Sequence, residues 1–153
     1  MAPGNTDISV RDATGRDASS ITLLIGQLAA SAGGTSPVTT DYVQDYLVSS
    51  GNGVLLAESL GEVVGMLSYS VRNGLYHAGD SCLIEEVVVR DDARGRGVGS
   101  ALMRELLSRL EAAGCAEVSV TVLSDNAGAI KFYRRHGLTD QAVFLEKHFG
   151  KAE

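Results

Sequence analysis

Two cysteines, Cys82 and Cys115, in 153 residues cannot build a disulfide framework. A domain of this length buries about 70% of its unfolded surface, so neither cross-links nor a structural metal are needed to stabilise it. Long apolar runs are absent as well: no stretch approaches the roughly 18 residues that span a bilayer. The N-terminus from Met1 to Asp7 has neither a basic region nor an apolar run, so no secretory leader is expected and the chain reads as soluble and cytoplasmic. Positive charge is scarce. The 13 Lys and Arg against 19 Asp and Glu leave a formal net charge of -6, a field that repels nucleic acid and anionic lipid. No lysine precedes Lys131, which excludes a P-loop ending in Gly-Lys-Ser/Thr and the nucleotide hydrolysis that goes with it. There is no Gly-x-Ser-x-Gly elbow for an acyl-enzyme hydrolase. His77, His136 and His148 have no metal-ligand spacing with each other or with the cysteines, so no metal site is expected.

What is present is apolar material for one core (44% hydrophobic residues) and no repeat or linker, which predicts a single domain over 1–153. Residues 8–10 read as a short strand. Ile21, Leu24, Ile25 and Leu28 recur at helical spacing behind Asp17 and Ser19, and after a loop from Ser31 to Thr40 a second short helix carries Tyr42, Tyr46 and Leu47. Val54–Glu58 and Glu62–Val71 form a hairpin about Leu60 and Gly61. A turn region from Asn73 to Asp80 precedes a strand at Ser81–Val89. Gly97 to Ala113 is a helix stopped by Gly114, Val118–Val122 a strand, Ala127–His136 a helix stopped by Gly137, and Ala142–Phe149 a last strand. The order is α+β in its first half and α/β-like in its second.

Between the valine-rich strand and the third helix lies Arg94-Gly95-Arg96-Gly97-Val98-Gly99-Ser100. Backbone N–H groups at a helix start, with the helix dipole behind them, favour anions; glycines let backbone approach a phosphate, and Arg94 and Arg96 add charge. The dinucleotide fingerprint does not fit, because no glycine follows Gly97 or Gly99 at the required spacing and Arg90 to Arg94 separate the strand from the first glycine. Hydride transfer is therefore disfavoured.

The strand Ile84-Glu85-Glu86-Val87-Val88-Val89 followed by Arg94-x-x-Gly97-x-Gly99 resembles the acetyl-coenzyme A motif of the GNAT N-acetyltransferase superfamily. Asn126-Ala127-Gly128-Ala129-Ile130-Lys131-Phe132-Tyr133-Arg134-Arg135-His136-Gly137-Leu138 resembles that family's second motif. The resemblance covers about residues 54–149. It implies a mixed, mostly antiparallel central sheet with helices on both faces and a splayed pair of parallel central strands, the splay forming a slot for acetyl-coenzyme A as cosubstrate. It also implies that Val87, Val88 and Val89 line the pantetheine arm, with backbone contacts from Val87 and Val89, and that the turn from Arg94 through Ser100 holds the pyrophosphate. Asn126, Ala129 and Phe132 would contact the cofactor and line the thiol end of the slot. Tyr133 matches the tyrosine that protonates the departing thiolate in many relatives.

A base is needed because an ammonium cannot attack a thioester. Glu85 and Glu86 alternate along a strand and so face opposite ways. The comparable glutamate in relatives lies nine residues before the motif arginine, which selects Glu85; a β-bulge would swap the faces and favour Glu86. The expected activity is direct acetyl transfer to a primary amine in a ternary complex, the acceptor a small molecule. Asp41, Asp45, Glu85 and Glu86 offer an acidic pocket for a cationic one. The alternatives are a non-catalytic acyl-coenzyme A sensor, or an acetyltransferase acting on protein N-termini or lysines. No nucleic acid or membrane partner is expected, and the family's frequent dimers make a homodimer an open reading.

Overall fold

The computed structural model describes residues 7–150, so most of the leader reading at the N-terminus lies outside the described residues. Two compact units divide between Val120 and Thr121, and each is described by itself.

The first unit is built on a five-stranded sheet, β1 (Ile8–Asp12), β2 (Asn52–Ser59), β3 (Glu62–Gly74), β4 (Gly79–Val89) and β5 (Glu117–Val120), in that spatial order. The first four strands pair antiparallel and β4 pairs β5 in parallel. Helices α1 (Ala18–Ser31), α2 (Thr40–Val48) and α3 (Val98–Ala112) cover it. Alternation along the strands sorts the side chains. Val54, Leu56, Met66 and Val88 join Ala18, Ile21, Leu24 and Val43 of α1 and α2 in one core cluster. Leu55 and Leu67, fully buried, point the other way, toward α3. There Gly65 permits close packing: a Cβ on it would stand 2.7 Å from Val98 Cγ1 and 3.1 Å from the Val88 carbonyl oxygen. Helices thus lie on both faces, as the resemblance implies.

The start of α1 is fixed by charge. Arg11 on β1 donates two hydrogen bonds of 2.8 Å to the buried Asp17 carboxylate, which also accepts from the Thr14 N–H at 2.8 Å. These partners favour the ionised form and hold the Asp17 carboxyl at about 2.

Three expectations need correction. The turn at 73–80 is shorter than predicted, because β3 runs on to Gly74 and β4 begins at Gly79. The parallel pair is not central: β5 is only four residues long and forms the sheet's edge. Lastly, Ala142–Phe149 forms no strand. Extended backbone needs a neighbouring strand for its N–H and C=O groups. Among the described residues none pairs with this segment, and its Val143 (85%), Leu145 (87%) and Phe149 (82%) stay exposed.

Among its described residues the second unit contains one regular element, α4 (Ala127–Arg135). The Asn126 side chain accepts from the Ala129 N–H at 3.1 Å and caps its start, while Gly137, with φ of 92°, closes its end as the sequence predicts.

Candidate active site

Strand β4 carries Glu85, Glu86, Val87, Val88 and Val89, and its geometry is set by a bulge. Ser68 of β3 pairs with Glu86 but the next residue, Tyr69, pairs with Ile84, so Glu85 is the extra residue in β4. The expected alternation of Glu85 and Glu86 onto opposite faces is overturned. Glu86 shares the α1/α2 side with Val88, and its carboxylate accepts from Ser68 Oγ at 2.8 Å. Glu85 turns to the same side, where Ser70 Oγ donates to it at 3.4 Å. The bulge therefore assembles a carboxylate pair instead of exchanging one face for the other. Glu85 is exposed and Glu86 half-buried. Burial, joined by the like charge of Glu85, pushes the Glu86 carboxyl above its ordinary range despite the Ser68 hydrogen bond. Asp41 and Asp45 sit exposed on α2.

Beyond Ile84, β4 runs on without β5, whose pairing ends at Val120. The Arg90 N–H donates to the Val64 carbonyl at 2.8 Å, on the β3 side. By the alternation of an antiparallel ladder, the backbone groups of Val87 and Val89 then point to the edge that β5 has left. Gln27 of α1 occupies part of that edge, donating to the Val89 carbonyl at 2.8 Å and accepting from the Asp91 N–H at 3.2 Å. Val88 is buried in the core.

The glycine turn follows a short 3-10 turn at Asp91–Ala93. Gly97 takes a left-handed conformation (φ 81°, ψ 16°) at the start of α3, and no side chain caps that helix start. Gly95 is likewise left-handed, and a Cβ there would meet nothing within 4 Å. Val98 is buried, whereas Gly99 and Ser100 in the same first turn are partly accessible. This donor set of main-chain N–H groups at the start of a long helix, with glycine where bulk would interfere, fits a phosphate. The arginines differ. Arg94 makes a surface pair of 3.1 Å with Asp91, while Arg96 is engaged by Asp7 at 2.8 Å and by the buried Ser59 at 3.0 Å.

In the second unit, Phe132 and Tyr133 are half-buried on α4, their rings edge to face at 5.1 Å, and Phe132 also meets His136 at 4.9 Å. Burial raises the Tyr133 hydroxyl above its ordinary value, which keeps it protonated and able to donate at neutral pH. Ala129 is half-buried and Asn126 exposed. Among the described residues, no helix is long and apolar enough to cross a membrane.

Residues 27–138 match the family model described as Acetyltransferase (GNAT) family. The chain belongs to the GNAT acetyltransferase family. An acetyltransferase of Sodalis glossinidius is 33% identical over 98 residues, covering 61% of this chain and 63% of its own. The L-methionine sulfoximine/L-methionine sulfone acetyltransferase of Pseudomonas paraeruginosa is 30% identical over 100 residues, 64% of this chain and 58% of its own. The chain thus spans less than two thirds of the length of these curated relatives. Among solved structures, an aminoglycoside acetyltransferase from an uncultured soil metagenomic sample superposes with a TM-score of 0.82 at 19% identity, covering 97% of this chain and 99% of that one, which supports the GNAT fold.

Ser68 and Gln27 were invisible as site residues in the sequence. Ser68 becomes one only once the bulge sets it opposite Glu86, and a lone serine in a strand carries no signal of that register.

Proposed function

We propose that this GNAT protein, read as one domain over 1–153, transfers acetyl from acetyl-coenzyme A directly to a primary amine of a small molecule. The observation that carries the reading is the course of β4. Its edge loses β5 after Ile84 and leads through Val87 and Val89 to the uncapped, glycine-rich start of α3, with two carboxylates beside it. A chain of amides ending in a pyrophosphate needs such a strand edge followed by such a helix end. Bound there, acetyl-coenzyme A supplies the activated acyl group.

The protein's own residues do the rest in this account. Backbone N–H groups of the Gly95–Ser100 turn hold the pyrophosphate, with Arg94 adding charge. The Val87 and Val89 edge orients the pantetheine arm. Glu85, the exposed member of the pair, takes the proton from the ammonium directly or through water, and Glu86 adds a second negative charge that favours a cationic acceptor. Tyr133 donates the proton to the thiolate. Asn126, Ala129 and Phe132 line the thiol end.

The test follows free thiol while the protein is incubated with acetyl-coenzyme A and a panel of polyamines, aminoglycosides and amino acids, with mass spectrometry to find the acetylated product. Amine-dependent thiol release is expected. Calorimetric binding of acetyl-coenzyme A without thiol release from any amine would make the protein a sensor instead.

A further inference from the structure

The β4 bulge is held by two side chains that lie outside both sequence motifs. Ser68 Oγ, in a residue only 4% exposed, donates to Glu86 Oε2 at 2.8 Å and accepts from the Glu86 N–H at 3.1 Å. A hydroxyl has one proton to give and lone pairs to receive, so both bonds form at once, and one atom grips Glu86 by backbone and by carboxylate. One register step away, the Tyr46 hydroxyl of α2 donates to the Tyr69 carbonyl at 3.0 Å. Tyr69 faces Ile84 on the far side of the extra residue. The two β3 residues that bracket the bulge are thus each engaged from the α1/α2 side.

A bulge has no intrinsic reason to stay at one residue, and a slip by one position sends side chains to the opposite face. The Ser68 grip forms only when Glu86 lies on the α1/α2 face. The Tyr46 bond ties the neighbouring carbonyl to a helix packed on that face. We propose that Ser68 and Tyr46 are positioning residues that pin the β4 bulge at Glu85 and so keep Glu85 and Glu86 together on the α1/α2 face. The kinetic consequence rests on the acetyl-transfer reading; the structural one does not. Among the described residues, Glu85 on the same strand and Tyr46 on α2 are the titratable groups whose charge is coupled to Glu86.

Ser68→Ala should lower kcat/KM for the amine by about 10- to 100-fold, the range for a misplaced reacting group, with acetyl-coenzyme A affinity unchanged by calorimetry. Because Ser68 favours the charged form of Glu86, its loss should also move any pH limb due to Glu86 to higher pH. Ser68→Thr, which keeps the hydroxyl, should recover most of the rate. Tyr46→Phe should cost about fivefold, the worth of one hydrogen bond, and it carries the test if Ser68→Ala does not fold. Folded variants with wild-type kcat/KM and an unmoved limb overturn the proposal. Should the wild type release no thiol with any amine, the acetyl-transfer reading has failed, and the pin is read alone by NMR. Faster amide exchange at Glu86 and a raised 13C carboxyl titration in Ser68→Ala then support it; unchanged exchange and titration overturn it.

Discussion

Helices α3 and α4 carry the same punctuation and are held in different ways. Each begins beside a residue suited to a helix start, Gly97 or Asn126, and each ends at a glycine with positive φ, Gly114 at 74° or Gly137 at 92°. Yet α3 buries Val98, Leu102, Met103, Leu106 and Leu110, while α4 has no buried residue. Caps and stops decide where a helix begins and ends. Whether it is also part of a core depends on a sheet to pack on, which α3 has in its own unit. The proposed roles divide along the same line: α3 presents backbone at its start, and α4 presents side chains.

The sharpest way to break that comparison is a matched pair of truncations. Leu102→Ala, at a fully buried position, should cost about 2–5 kcal/mol in urea unfolding. Ile130→Ala on α4 is expected to cost less than about 1 kcal/mol, since it creates no core cavity. Equal losses would show that α4 is core after all. Next in size is Tyr133→Phe, which keeps the ring and removes the proton donor. It should reduce kcat roughly 10²-fold in steady-state assays, with little change in melting temperature or cofactor affinity. A variant that loses stability instead of rate would return Tyr133 to a packing role.

Smaller effects test the charges of the first unit. Asp17 has a folded pKa of about 2, below its ordinary value of 3.8, so its contribution is present above pH 4 and is lost as pH falls toward 2. Asp17→Asn should cost about 1–2 kcal/mol at pH 7, allowing for the partial exposure of Arg11, and almost nothing at pH 2, as urea midpoints across pH would show. Glu86 has the opposite sign. Its folded pKa is raised, so ionising it opposes folding at higher pH. Glu86→Gln should therefore raise the urea midpoint slightly at neutral pH, with the gain shrinking as pH is lowered.

Much of this fold was legible in the sequence because its signals are local. Helical spacing at Ile21, Leu24 and Leu28, the Leu60-Gly61 turn and the glycine stops each act within a few residues, and the elements stand within a few residues of their predicted ends. The last strand failed for the opposite reason: the alternation at Val143 and Leu145 describes what a strand looks like, but a strand exists only beside a partner. The carboxylate pair lies between these cases. The sequence supplied Glu85 and Glu86 and allowed a bulge, whereas the pairing of Ser68 with Glu86 and of Tyr69 with Ile84 is a long-range register that turned both carboxylates to one side. Ser68 and Tyr46 were unreadable because their roles exist only in that register.

The pH dependence of kcat/KM for Glu85→Gln and Glu86→Gln, measured with an amine found to be acetylated, tests the proposed chemistry most directly. Glu85→Gln keeps the shape of the side chain but cannot accept a proton; a fall on the order of 10² to 10⁴ is expected, partly recovered at high pH where free amine is abundant, with Glu86→Gln changing the rate much less. The reverse ranking would make the half-buried Glu86 the base, and near-wild-type rates in both variants would contradict a carboxylate base on β4 altogether.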